Sequence, residues 1–317
     1  MRKFIIRRTI AMLLSAIAAT IVVFGISRAA GDPLLLYAKP GGYGVSPEQI
    51  ETLEKKLGLD RPLTVQYVMW LSRVMRGDLG RTLLTETPVS KVVGQKIAAT
   101  FQLGFAAWVL ATVVGIPLGV ISAVNRGSPL DYVARIFALL GQAVPSFWLG
   151  IMSILLFAVL LGWLPVGTKG LEEGFPLSWT NLKYFVLPSI TLGWGAAAGY
   201  LRITRSAMLE VLDSEYIRLA RAKGVSHRRA IWKHAFKNAL LPPLTVSSLL
   251  LAGFITGSVV TEQVFAWPGL GRLAVRAVQD NDFPIMTACA LIFVGIFVIL
   301  NFVTDILYAI VDPRIRY

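Results

Sequence analysis

Thiol and metal chemistry have almost nothing to work with in this sequence. Its one cysteine, Cys289, lies within an apolar run, so no disulfide framework or cysteine-based metal site can form within the chain. The only two histidines, His227 and His234, fall in one basic segment, and no nucleophile–base pair or zinc-ligand set assembles with either. A Gly-x-x-x-x-Gly-Lys-Ser/Thr phosphate loop is also missing, so any ATP and Mg chemistry belongs to other chains and none is expected on this one. Charge is scarce as well. Only 15% of the residues are Asp, Glu, Lys or Arg, against roughly 25% in a soluble domain.

What fills the chain instead is apolar sequence, 55% of 317 residues, arranged in long runs that point to a bilayer. Six spans can be read in order: Thr9–Ser27, Phe101–Val124, about Val133–Leu164, Phe185–Leu201, Leu244–Phe265 and Ile285–Ile310. At 1.5 Å per residue, about 20 residues cross a core of roughly 30 Å. The third run is too long for one straight crossing, so Pro145 is expected to kink it or its first turns to lie outside the membrane. The fourth, with Pro188 and its glycines, is the least apolar. The first begins like a signal peptide but is long enough to span, and is read as a retained helix.

The net charge of +13 is unevenly placed. Arg2, Lys3, Arg7 and Arg8 open the chain, and nine basic against three acidic residues lie between Arg202 and Lys237. Both clusters abut apolar spans, which is the positive-inside pattern and not a nucleic-acid footprint. The expectation is an all-α polytopic membrane protein with both termini and the 202–243 loop cytoplasmic. Residues 1–28 form the N-terminus and first helix, 29–100 a small extracytoplasmic subdomain, and 101–317 a five-helix core. Within the subdomain, Ser46-Pro47-Glu48-Gln49 reads as a capped helix start and Gly58 as a stop. Asp60-Arg61-Pro62 opens a second helix with Leu63, Tyr67, Trp70, Leu71 and Val74 at helical spacing, Tyr67 and Trp70 being read as local core or interface belt.

The 202–243 loop carries the clearest signal. Leu209, Leu212, Tyr216 and Leu219 continue a helix beyond span four, which stops at Gly224 in the manner of a C′ residue. Ser226 then caps a second helix with Ile231, Ala235 and Ala239 on one face. The result is an elbow presenting basic and small residues. Such a basic loop has two readings: it serves topology alone, or it meets an acidic groove or anionic lipid surface. A helix-turn-helix held between two spans is a poor DNA reader.

This elbow resembles the EAA loop of bacterial ATP-binding-cassette importer permeases. The Glu-Ala-Ala positions read Arg218-Leu219-Ala220, the glycine is Gly224, and the Ile-x-Leu-Pro positions read His234-Ala235-Phe236-Lys237. Only Ala220 and Gly224 match strictly, but the string Tyr216–Gly224 and the string His234–Pro242 are similar to the peptide-transporter version. So are Phe4–Arg8, Gly31–Pro33, Leu57–Pro62, Gly77–Gly80, Pro145–Gly150, Thr261–Phe265, Pro268–Gly271 and Asp312–Tyr317, which span the whole chain. Together they resemble the first (B-type) permease of dipeptide, oligopeptide and nickel importers.

The resemblance implies alternating-access import of di- or oligopeptides across a bacterial cytoplasmic (inner) membrane. It implies a heterodimer with a second six-span permease, two cytoplasmic ATPases and an extracytoplasmic substrate-binding protein. Arg218, Leu219, Ala220, Arg221, Ala222, Lys223, Gly224 and Val225 would dock into the ATPase.

Within the spans, Gln142, Pro145, Ser146, Glu262, Asn301 and Asp305 are the candidates for a translocation pathway or gate. Glu262 fits a gate or an interfacial cap equally, and Asp305 a functional acid or a simple pair with arginine. Gly115-x-x-x-Gly119 and Gly253-x-x-x-Gly257 are expected to let helices approach closely. A secondary transporter would need mid-membrane coupling acids and inverted repeats, which are not evident. A channel fits the docking elbow poorly.

Overall fold

The computed structural model describes residues 2–29, 51, 59–83, 85–167 and 179–311. The capped helix start at Ser46, the stop at Gly58, Gly31–Pro33 and the C-terminal Asp312–Tyr317 string lie outside the described residues. The described residues are helical apart from turns and one isolated bridge between Arg81 and Pro88.

In chain order the helices are α1 (Arg2–Ala29), α2 (Leu63–Met75), α3 (Val89–Val124) and α4 (Pro129–Ala143). Then come α5 (Ser146–Leu160, π-helical from Ile154), α6 (Trp179–Leu212), α7 (Glu215–Ala222) and α8 (His227–Ala239). The last are α9 (Leu241–Thr256), α10 (Val259–Val264), α11 (Leu270–Gln279) and α12 (Phe283–Val311).

Three described helices, α1, α3 and α12, are long and apolar enough to cross a membrane. Two bent pairs, α4–α5 at 107° and α8–α9 at 43°, raise the number to five if each pair is one span. The expected third span is therefore not a kinked rod but two helices meeting almost at a right angle. Val144 is extended (φ −83°, ψ 124°), as the residue before Pro145 is driven to be. The expected fifth span is also interrupted, ending at Thr256 before Gly257 and resuming as the short α10.

The expected fourth span lies in α6, 34 residues long and not among the helices apolar enough by themselves to cross a membrane. Its small residues serve packing. A Cβ on Gly115 of α3 would come within 2.5 Å of the Ala197 carbonyl oxygen, and one on Gly119 within 2.6 Å of Thr204 Cβ. On the other side, a Cβ on Gly141 of α4 would meet Ala198 and Trp194 at 2.7 Å. α6 is thus the central post, with α3 and α4 pressed against it. The second glycine pair does not do this: nothing lies within 4 Å of a Cβ at Gly253, and Gly257 meets only its own helix.

At about 1.5 Å per residue, α3 runs roughly 54 Å and joins the two ends of the molecule. Near its start, Val89 and Val93 pack with Leu270, Ala277, Ile285 and Ala288 of α11 and α12. At its far end, Val120 and Ala123 pack with Ala207, Met208, Ile217 and Ile231. Phe24 of α1 meets Tyr67 and Trp70 of α2 with ring centroids 5.5 and 5.4 Å apart, which packs those half-buried aromatics on the first helix.

Candidate functional site

The elbow begins with a break the sequence reading did not anticipate. α6 ends at Leu212, Asp213 and Ser214 form a turn, and α7 starts afresh at Glu215. The stop at Gly224 is as expected. Gly224 has φ +81°, Val225 N–H donates to Ala220 O at 3.2 Å, and Gly224 N–H donates to Arg221 O at 2.9 Å. These two bonds define the Schellman closure, which needs a left-handed residue at C′. Ser226 stands at the next N-cap (ψ 149°) but its side chain makes no capping bond.

The elbow is anchored on one face and open on the other. Ile217, with Ile231, Ala235 and Ala239, is buried against the far ends of α3 and α6. Tyr216 Oη and His234 Nδ1 lie 2.7 Å apart and bridge α7 to α8. Arg218, Leu219, Arg221, Ala222, Lys223 and Gly224 are exposed, with Leu219 at 57%; Ala220 and Val225 are half-buried. A rigid, cationic ledge with an exposed leucine is thus presented to whatever lies below it.

Beneath the elbow is an ion pair the sequence reading missed. Asp131 is buried and receives Arg205 Nε at 2.9 Å and Arg205 Nη2 at 3.0 Å. Ser122 Oγ donates to it at 2.6 Å and Gly127 N–H at 3.0 Å. Both carboxylate oxygens are thus satisfied, each by one Arg205 nitrogen and one further donor. The cluster ties α3, α4 and α6 together. A local trace existed in Ser128-Pro129-Leu130-Asp131, where Ser128 Oγ accepts from Asp131 N–H at 3.3 Å and Pro129 opens the helix. Arg205, 74 residues away, had no such trace.

The pathway candidates separate into two groups. Gln142, Pro145 and Ser146 come together on the exposed side of the α4–α5 turn. From there a groove of about 580 Å³ runs between α4 and α6 towards the elbow, past Gln142, Arg135 and Arg202. Glu262, Asn301 and Asp305 lie elsewhere. Asp305 pairs with Arg8 at 3.2 Å, joining α12 to α1, and Asn301 is half-buried one turn away.

Glu262 is fully buried and fully satisfied. Thr100 Oγ1 and Ser258 Oγ each donate to its Oε1 at 2.8 Å, and Arg272 N–H donates to Oε2 at 3.0 Å. Thr100 Oγ1 accepts from Leu270 N–H at 2.8 Å, and Trp267 Nε1 donates to Ala99 O at 2.8 Å. Glu262 thereby places a carboxylate on the N-terminus of α11 and clamps it to α3. Gly269 lies against that carboxylate, leaving no room for a side chain there. Asp282 repeats the device at α12, accepting from Ile285 N–H at 3.2 Å and Leu83 N–H at 3.0 Å.

Two family models cover nearly all of the chain. Residues 115–317 match "Binding-protein-dependent transport system inner membrane component", and residues 1–103 match "Binding-prot-dependent transport system membrane comp, N-term". The chain is 40% identical to "Oligopeptide transport system permease protein AppB" of Bacillus subtilis (strain 168), covering 100% of both chains. It is 38% identical to "Dipeptide transport system permease protein DppB" of Escherichia coli (strain K12), covering 100% of this chain and 99% of that one. Among solved structures, an inward-facing conformation of the MetNI methionine ABC transporter matches with a TM-score of 0.57 at 19% identity, over 70% of this chain and 96% of that one. At that identity the likeness is one of fold.

Proposed function

Because this chain belongs to the binding-protein-dependent transport system inner membrane components, we propose that it is the permease half of an ATP-driven peptide importer. It crosses the membrane six times, as α1, α3, α4–α5, α6, α9–α10 and α12. Both termini and the elbow face the cytoplasm. Residues 29–100 form an extracytoplasmic subdomain, and 101–317 the translocating core. It pairs with a second permease, receives di- or oligopeptides from an extracytoplasmic binding protein, and docks on two ATPases that supply the ATP and Mg chemistry.

The elbow is the observation that carries this reading. A helix closed by Gly224 and anchored through buried Ile217 can pass force to α3 and α6, while its exposed face, Arg218 to Val225, is free to dock. Inverting a 1:99 inward/outward population takes about 5.5 kcal/mol of differential binding. A rigid lever can deliver that difference between nucleotide states. Gln142, Pro145 and Ser146 line the peptide's route, and Glu262 holds the opposite end closed-packed.

The test is co-purification from native membranes followed by an ATPase and uptake assay. Recovery of a second permease and ATPases, with activity stimulated by an added binding protein, is the expected result. In that complex Gly224→Pro, which cannot adopt φ +81°, should cut uptake at least tenfold, as should a bulky residue at Ala220. Normal uptake by these variants would sink the lever. Transport by this chain alone, without ATP, would return a secondary transporter or channel to the front.

A further inference from the structure

The α4–α5 turn holds features that neither the lever nor the helix packing uses. α5 opens at Ser146 with no side-chain cap, because Pro145 precedes it. The first-turn N–H groups of a helix have no acceptor within it. Here the first intrahelical bond runs from Leu149 N–H to Pro145 O at 3.0 Å, and the Ser146, Phe147 and Trp148 amides precede it. A recess of about 90 Å³ opens beside them, with Ser146, Thr191 and Trp194 on its lining among apolar neighbours that include Val144, Leu149 and Leu192. That is room for a few waters, at about 30 Å³ each, or for a carboxylate and its α-carbon.

Thr191 is the second, independent pointer. It is 2% exposed and its hydroxyl has no hydrogen-bond partner. A threonine inside a helix ordinarily bonds back to the i−4 carbonyl, as Thr112 and Thr256 do at 2.8 and 3.0 Å. Thr191 does not, and it lines the recess. Trp194 cannot serve as its partner, since Nε1 is donated to Phe137 O at 3.3 Å.

The electrostatics favour an anion. The start of a helix carries a partial positive charge. Among the described residues no acidic side chain lines the recess or the neighbouring groove, which holds Arg135 and Arg202. Interrupted helices at membrane depth are tolerated where they line protein or a wet cavity, and the N-terminus of a half-helix is suited to an anionic substrate group.

We propose that the recess at the α4–α5 turn receives the terminal carboxylate of the peptide in transit, with the α5 amides, Ser146 and Thr191 as donors. Arg135 and Arg202 draw the charge onward towards the elbow. This rests on the peptide-importer reading above.

The experiment uses the complete importer with its partner subunits and binding protein in proteoliposomes. The probes are radiolabelled di- and tetraalanine, each as free acid and as C-terminal amide. The binding protein is the same throughout, so its own preference cancels when each variant's acid-to-amide uptake ratio is divided by that of the unmodified importer. Thr191→Val combined with Ser146→Ala should lower this ratio about tenfold, the loss expected for hydrogen bonds to a charged group. Thr191→Ser, which keeps the hydroxyl, should restore most of it. An unchanged ratio overturns the site. Equal loss of acid and amide without rescue by Thr191→Ser also overturns it, marking the residues as structural. If the unmodified importer takes up none of the four peptides, the peptide reading itself fails and the carboxylate site falls with it.

Discussion

Asp131 shows how much one buried carboxylate can hold. Its two oxygens accept four hydrogen bonds from Ser122, Gly127 and Arg205, closing the α3–α4 turn onto α6. Removing one member of such a pair leaves the other charge uncompensated. Asp131→Ala should therefore destabilise by about 3 kcal/mol, at the low end of the range because the Arg205 side chain is 22% exposed. Thermal unfolding of Asp131→Ala beside the parent in detergent checks this, and equal midpoints would show that the pair does not hold the three helices together. At this scale the sequence was legible only where a signal is local. The Ser128–Asp131 capping spacing and the glycine at Gly224 could be read directly. Partners such as Arg205 and Thr100 are brought in by the fold and leave no local periodicity.

At the scale of elements, hydropathy located the runs but not the helices. α3 begins at Val89, twelve residues before the apolar run at Phe101, because its first turns are stabilised by packing on α11 and α12 and not by lipid. α6 likewise outruns its apolar stretch to reach the elbow, and the amphipathic α11 was hidden between spans five and six. The position of the third-span break was foreseeable from Pro145; its 107° was not. Small-residue motifs were equally ambiguous, since spacing alone cannot tell a packed glycine from an idle one. The structure separates them. A Cβ at Gly119 would lie 2.8 Å from the Leu201 carbonyl oxygen as well as against Thr204, so Gly119→Ala must push α3 off α6. Overpacking of this kind costs about 1–3 kcal/mol. Gly253→Ala meets open space and should be neutral or slightly stabilising, by up to about 1 kcal/mol from helix propensity. Thermal unfolding of the two variants, measured side by side, checks this, and equal losses would contradict the contrast.

Across the whole molecule, three separate contacts assign the two ends. Ile217 and Ile231 seat the elbow on the end of α3 that carries Val120. Leu270 and Ala277 of α11 sit on the Val89 end, roughly 50 Å away along a helix rising 1.5 Å per residue. α12 starts beside α11 and runs back to Asp305, whose bond to Arg8 brings the N-terminus to the elbow end. Positive-inside then predicts that this end, rich in Lys and Arg, is cytoplasmic. The chain is well suited to testing it, because Cys289 is its one cysteine and is buried. On a Cys289→Ala background, Leu219→Cys reports the elbow and Val278→Cys the α11 end, both parent side chains being more than half exposed. A membrane-impermeant maleimide applied to right-side-out spheroplasts should label the α11 position and spare the elbow. Inverted vesicles stripped of peripheral proteins should give the opposite pattern, and adding back the ATPases should protect the elbow position. Labelling of both positions from one side would break the six-span topology, and the lever with it, since an elbow outside the cytoplasm could not meet an ATPase.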